Sequence, residues 1–98
     1  MSIIERFSIE CEGVFDLQAA LGLEETLALV REGGKVEVDL TRVREFHDAG
    51  LAVLARTIQR TGATHDLDVR GLRDRHLRLL RYLGVELGRR HRNGHAHG

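Results

Sequence analysis

The sequence predicts a single α/β domain: a mainly parallel, four-stranded sheet with its helices packed largely on one side. Three observations predict it. Segments of hydrophobic period two alternate along the chain with segments of period about 3.6. The connections between them are short, and 98 residues suffice for one core but not for two. Strands and helices that alternate on short connections imply right-handed crossovers between parallel strands.

The first strand is expected over residues 7–12, FSIECE, with Phe7, Ile9 and Cys11 facing inward and Gly13 ending it. Val14 and Phe15 form a possible adjoining strand, the fourth of the sheet. Asp16 is placed to cap a helix that begins at Leu17, in which Ala20, Leu23, Leu27 and Val30 share one face. Gly33 and Gly34 mark its stop. Gly22 costs that helix about 1 kcal/mol against alanine, which points to a close packing contact or a bend.

Next, Val36, Val38 and Leu40 alternate with Lys35, Glu37 and Asp39, the pattern of a half-buried strand. A polar connection ending in His47-Asp48-Ala49-Gly50 follows. Leu51, Leu54, Ala55 and Ile58 then recur at helical spacing until Thr61 and Gly62 close the helix. Residues 65–72 supply another strand, with Leu67 and Val69 inward and Gly71 in the turn beyond it. Asp74 is placed to cap the last helix, where Leu77, Leu80 and Leu87 hold one face and Leu79 and Leu83 widen it. After Leu87 the apolar pattern stops. The domain is therefore read as residues 1–88, with residues 89–98 a flexible tail rich in His, Gly and Arg.

Composition limits the function classes. Hydrophobic residues at 42% and charged residues at 31% are ordinary for a folded chain, which argues against wholesale disorder. A formal net charge of zero gives no strong electrostatic reason to expect nucleic acid, a membrane surface or an acidic substrate. One Tyr and three Phe are too few for a base-stacking platform. Charge is nevertheless uneven, with acids in the first half and basic residues gathered after Arg70. Arg75, Arg78 and Arg81 follow one another at spacings of three, normally a solvated helix face, with a surface for an acidic partner as the alternative.

Cys11 is the only cysteine, so neither an intramolecular disulfide nor a cysteine metal cluster can form, and its alternation with Phe7 and Ile9 reads as a small buried hydrophobe. No secretory signal and no apolar run approaching about 18 residues is present, so a cytoplasmic location without membrane insertion is expected. His91, His95 and His97 lack an apolar scaffold or an acidic second shell, which makes an adventitious chelating tail of them rather than a metal centre.

The connection before the second helix is the candidate site. A helix N-terminus presents unpaired N–H groups and the positive end of its dipole to an anion or a partner's carboxylate. Asp48, next to the helix start, reads as its N-cap, and as a fixed negative charge displayed to a partner. His47 beside Asp48 suggests a general base, yet no Ser or Cys nearby makes a nucleophile, and catalysis is not expected. Gly50 reads as a close backbone approach; a lone glycine lacks the spacing of a phosphate loop. Thr41 and Thr57 read as capping or core residues rather than phosphoacceptors.

From Val36 to Val85 the chain resembles the core of STAS domains, the family of bacterial anti-sigma-factor antagonists and related modules. Asp39-Leu40-Thr41 matches the family's Asp-Leu-Ser or Asp-Leu-Thr strand end. His47-Asp48-Ala49-Gly50-Leu51 falls at the register of its Asp-Ser-Ser-Gly-Leu or Asp-Ser-Ala-Gly-Leu loop, and Leu79-Leu80-x-x-Leu83-Gly84-Val85 resembles its closing helix. The resemblance extends over about residues 7–87. It implies a STAS-like α/β fold and a non-catalytic, cofactor-free module that binds a protein partner through His47, Asp48, Ala49, Gly50, Leu51, Val53 and Leu54. The implied partner is an anti-sigma factor of serine-kinase type, with no nucleic acid involved; homodimerisation stays open.

The departures from the family matter. Antagonists of this family are switched by phosphorylation of the serine before the glycine, and Ala49 stands there without a hydroxyl. His47 replaces the loop aspartate, while Asp48 stands where the first Ser or Thr would be and supplies a permanent charge. Alanine before glycine also resembles the small STAS subunits of bacterial lipid-transport ABC systems, which bind an ATPase subunit. That is the alternative function.

Overall fold

The computed structural model describes residues 6–85. Its elements, in chain order, are β1 (Arg6–Phe15), α1 (Leu17–Leu27), β2 (Lys35–Phe46), α2 (Asp48–Gly62), β3 (Asp66–Arg70) and α3 (Asp74–Tyr82). The strands form one parallel sheet in the order β1-β2-β3.

The sheet has three strands, not four. Gly13, expected to end the first strand, adopts φ +79° inside β1, so the chain kinks without leaving the sheet. Val14 and Phe15 then pair with Glu45 and Phe46 as the continuation of β1. β2 is correspondingly longer than residues 35–40. It runs through the expected polar connection to Phe46 and takes up two register shifts against β1 on the way.

The alternation in the sequence sets which face is buried. Val36, Val38 and Leu40 of β2 and Leu67 and Val69 of β3 lie in the core with Phe15, Leu54 and Leu80. The other face of the sheet is polar and carries ion pairs across the strands. Lys35 Nζ lies 3.7 Å from Asp66 Oδ2, and Arg70 Nε lies 2.6 Å from Glu37 Oε2. Phe7, expected inward, is 41% exposed because β1 is an edge strand with no strand beyond it among the described residues.

The helices refine the expected boundaries. Asp16 caps α1 as expected, its Oδ1 accepting from Ala19 N at 2.9 Å. α1 ends at Leu27, well before Gly33 and Gly34, and Val30 is buried from the turn that follows. Gly22 makes no close packing contact: a Cβ built there meets nothing within 4 Å. α1 and α2 are joined by Glu24, whose carboxylate accepts from Arg56 Nη2 at 2.9 Å and Nε at 3.1 Å. This Arg56 hydrogen bond, with the nearby charge, holds the Glu24 carboxyl below its usual range despite partial desolvation.

Asp48 and Asp74 are not caps. Each is the first residue of its helix, and the extended residues before them, His47 and Arg73, occupy the N-cap positions. In α3, Leu80 is fully buried, Leu77 and Leu79 are half-buried, and Leu83 is 39% exposed. Leu87 and the histidines at 91, 95 and 97 lie outside the described residues.

Candidate functional site

β1 and β2 end side by side, with Phe15 opposite Phe46. Just beyond this rung, His47 N donates to the Phe15 carbonyl at 3.0 Å, which ties the start of α2 to the end of β1. His47 keeps an extended backbone, φ −95° and ψ 145°, while its carbonyl already accepts the first helical bond from Leu51 N at 3.0 Å. Gly50 lies under the corner where β1 turns into α1. A Cβ on it would fall 2.6 Å from Phe15 O and 2.9 Å from Asp16 O. The expected close backbone approach at Gly50 is thus found, and it sets the corner firmly against the first turn of α2.

The predicted site residues divide into two groups. His47, Asp48 and Ala49 are exposed, whereas Gly50, Leu51, Val53 and Leu54 are buried. Leu51, Val53 and Leu54 belong to the core, at 2%, 8% and 1% exposure, so they support the helix from within and offer little surface to a partner. The apolar stripe that marks α2 as a helix is the stripe it turns toward the sheet.

His47 does not pair with Asp48. Its Nε2 lies 2.8 Å from Glu45 Oε2, two residues back along β2. Asp48 has no hydrogen-bond or ion-pair partner among the described residues, so the acid–base dyad is not assembled. Ala49 leaves the position before Gly50 without a hydroxyl. Thr41 and Thr57 both have structural partners. Asp39 Oδ1 accepts from Thr41 Oγ1 at 2.6 Å and from Thr41 N at 2.9 Å, and Thr57 Oγ1 donates to Val53 O at 2.9 Å.

The bonds from the Thr41 hydroxyl and amide, in that order, hold the Asp39 carboxyl below its ordinary value. They also close a local turn where β2 first slips in register, between its pairings Asp39 to Glu10 and Arg42 to Glu12. The Asp-Leu-Thr element therefore marks the irregularity in the strand that leads to the site.

Sequence reasoning missed what lies beneath the site. Phe15 and Phe46 pack with ring centroids 5.9 Å apart, and the ring of His76 lies 4.2 Å from that of Phe46. His76, from α3, is 5% exposed, and its Nδ1 accepts from Arg73 N at 3.1 Å. That contact places the proton of the neutral ring on Nε2. Burial, then the charges of Arg75 and Arg73, push the imidazole pKa below its ordinary value. Nothing in a helix otherwise full of arginine and leucine signals this residue. Cys11 is half-buried, and desolvation, followed by the nearby charge of Asp39, raises its thiol pKa, as expected of an inert cysteine.

Among the described residues, no group of three or more His, Cys, Asp or Glu side chains could hold a metal ion. Nor is any helix long and apolar enough to cross a membrane. The site offers a charged, exposed helix start backed by the Phe15–Asp16 corner.

Comparison with known proteins agrees with this architecture. Solved structures superimpose at about 20% identity, a likeness that shows the fold alone. The STAS domain of a SulP transporter from Vibrio cholerae matches with TM-score 0.59 and 21% identity, over 86% of this chain and 67% of that one. A sulfate transporter family protein from Wolinella succinogenes matches with TM-score 0.62 and 20% identity, over 85% and 71%. The protein called Mglu matches with TM-score 0.60 and 21% identity over 68% of this chain, which spans only 17% of Mglu. No curated protein matches the sequence. The family model described as "Mlab, STAS domain" matches residues 5–87, which include every described element, and the chain belongs to the STAS domain family.

Proposed function

We propose that this STAS domain is a non-catalytic regulatory module that docks an anti-sigma partner of serine-kinase type through the exposed start of α2. One observation carries the reading: His47, Asp48 and Ala49 stand exposed on a helix N-terminus that the Phe15–Asp16 corner backs at Gly50. A surface whose backbone is fixed in this way binds with a reduced ordering cost. Glu45 and Ala52, both exposed beside these residues, extend it, while Leu51, Val53 and Leu54 hold it in place. Asp48 supplies a constant charge, so docking does not depend on phosphorylation.

A second reading rests on Ala49. Alanine before the glycine fits the STAS subunits that stabilise an ABC ATPase in lipid transport, where no phosphoacceptor is needed. Co-purification of the tagged chain from a native lysate separates the two. A kinase-type ATP-binding protein supports the first reading and an ABC ATPase the second, provided that Asp48→Arg abolishes capture. Capture of either partner with equal yield by Asp48→Arg and by the unaltered chain would remove α2 from both.

A further inference from the structure

The N-terminal half of β1 is a sheet edge among the described residues. Among the described residues, nothing pairs with β1 on the side away from β2. An edge of this length presents unpaired N–H and C=O groups as a template for another strand. Along the face of β1 turned toward the core, Phe7 is 41% exposed, and Ile9 and Cys11 are half-buried. On α1, the next element, Leu17 and Leu21 are exposed one turn apart, at 46% and 39%. On the opposite face of β1, Arg6, Ser8, Glu10 and Glu12 are all exposed. Arg6, Glu10 and Glu12 have no ion-pair partner among the described residues.

We propose that this edge is occupied by a second copy of the chain, β1 pairing antiparallel with its two-fold mate about Ile9. In this register Ile9 faces Ile9 and Phe7 faces Cys11, so the three apolar positions of each strand meet on one face. On the other face Arg6 stands opposite Glu12, twice by symmetry, and Ser8 opposite Glu10. Opposite charges directly across an antiparallel pair are favourable, and like charges are not.

The neighbouring registers are worse. Centring the pair on Glu10 sets Glu10 against Glu10, and centring it on Cys11 sets Glu10 against Glu12. Centring on Ser8 leaves two fewer rungs among the described residues, and a shift of a single rung turns the two apolar faces to opposite sides. Gly13, with φ +79°, bends the strand just after Glu12 and so limits pairing at that end, with residues 6–12 the described residues that precede it. The result is an isologous dimer with a continuous six-stranded sheet. It leaves the start of α2 free, and so does not depend on the function proposed above.

Sedimentation of the full chain from about 10 μM to about 1 mM tests the proposal in the range where a modest interface registers. A concentration-dependent dimer is expected. Glu12→Arg weakens it about tenfold, because two attractive pairs become repulsive. Adding Arg6→Glu to Glu12→Arg restores the original affinity, with the circular dichroism of every variant unchanged. Ile9→Cys in a Cys11→Ser background closes a disulfide at the two-fold axis under mild oxidation, whereas the unaltered chain, with its Cys11 pair four rungs apart, does not. A monomer throughout the range, a dimer indifferent to Glu12→Arg, or a charge swap that fails to rescue overturns the proposal.

Discussion

Gly50 lies against the carbonyl of Phe15 so closely that a Cβ at position 50 would stand 2.6 Å from that oxygen. The obstructing atoms are backbone, at a corner that also caps α1 through Asp16, so no rotamer change relieves the contact. Gly50→Ala therefore pushes the β1–α1 corner away from α2. A loss of about 1–3 kcal/mol is expected, as for other overpacked sites, read as a lower denaturation midpoint at unchanged m-value. Because the corner backs the exposed His47, Asp48 and Ala49, partner capture should fall more steeply than stability does.

His76 makes stability depend on pH. Its folded pKa lies below the ordinary value near 6.5. Above that value the ring is neutral in both states, and its full contribution is present. As pH falls through about 6.5 the unfolded chain takes up the proton first, so unfolding gains and stability declines. The decline stops once pH has fallen through the lower folded pKa. Urea titrations between about pH 7.5 and 5 should show this slope, and His76→Gln should flatten it. A slope unchanged in the variant would assign the titration to another group.

Thr57 sits at 2% exposure and offers its hydroxyl proton to Val53 O at 2.9 Å, with Glu24 Oε2 at 3.3 Å as the competing acceptor. Thr57→Val keeps the shape and removes the donor. The cost is expected to be about 0.5–1.5 kcal/mol, because Glu24 retains Arg56 and the Val53 carbonyl remains within a helix. Thermal unfolding at two salt concentrations checks the assignment. Added salt should lower the midpoint of the unaltered protein and of Thr57→Val alike, since the Glu24–Arg56 pair persists in both, and should act less on Glu24→Gln.

These effects show which parts of the molecule were legible in the sequence. Val36, Val38, Leu40, Leu67 and Val69 announced their strands because an alternating pattern is local, and Asp16 announced its cap for the same reason. The extension of β2 to Phe46 was not legible. Residues 41–46 read as a polar connection, and they become strand only because residues 12–15 lie alongside to pair with them. The same pairing moved the cap by one residue. Once His47 N is committed to Phe15 O, His47 takes the extended conformation and Asp48 enters the helix. At the candidate site, the resemblance implies Leu51, Val53 and Leu54 as partner contacts, and the core covers them; an amphipathic stripe alone does not say whether a core or a partner will do so. His76 left no trace, since its burial depends on the ring of Phe46, thirty residues earlier.

Gly22 gives the opposite sign to Gly50 for the same substitution. It lies in the exposed part of α1, and an added Cβ meets nothing within 4 Å. Alanine there adds no clash and reduces the backbone freedom lost on folding, a gain of about 0.5–1 kcal/mol. The same change removes no contact that the sheet or α2 needs, so activity in partner capture should not move. Denaturant titration of Gly22→Ala, Gly50→Ala and the double variant then forms a closed set. The two effects should add within about 0.5 kcal/mol, because one acts through helix propensity and the other through a corner beyond the start of α1. A destabilised Gly22→Ala would instead mean that a neighbour occupies the space beside position 22 in solution, and the excess coupling in the double variant would show whether that neighbour is the same corner.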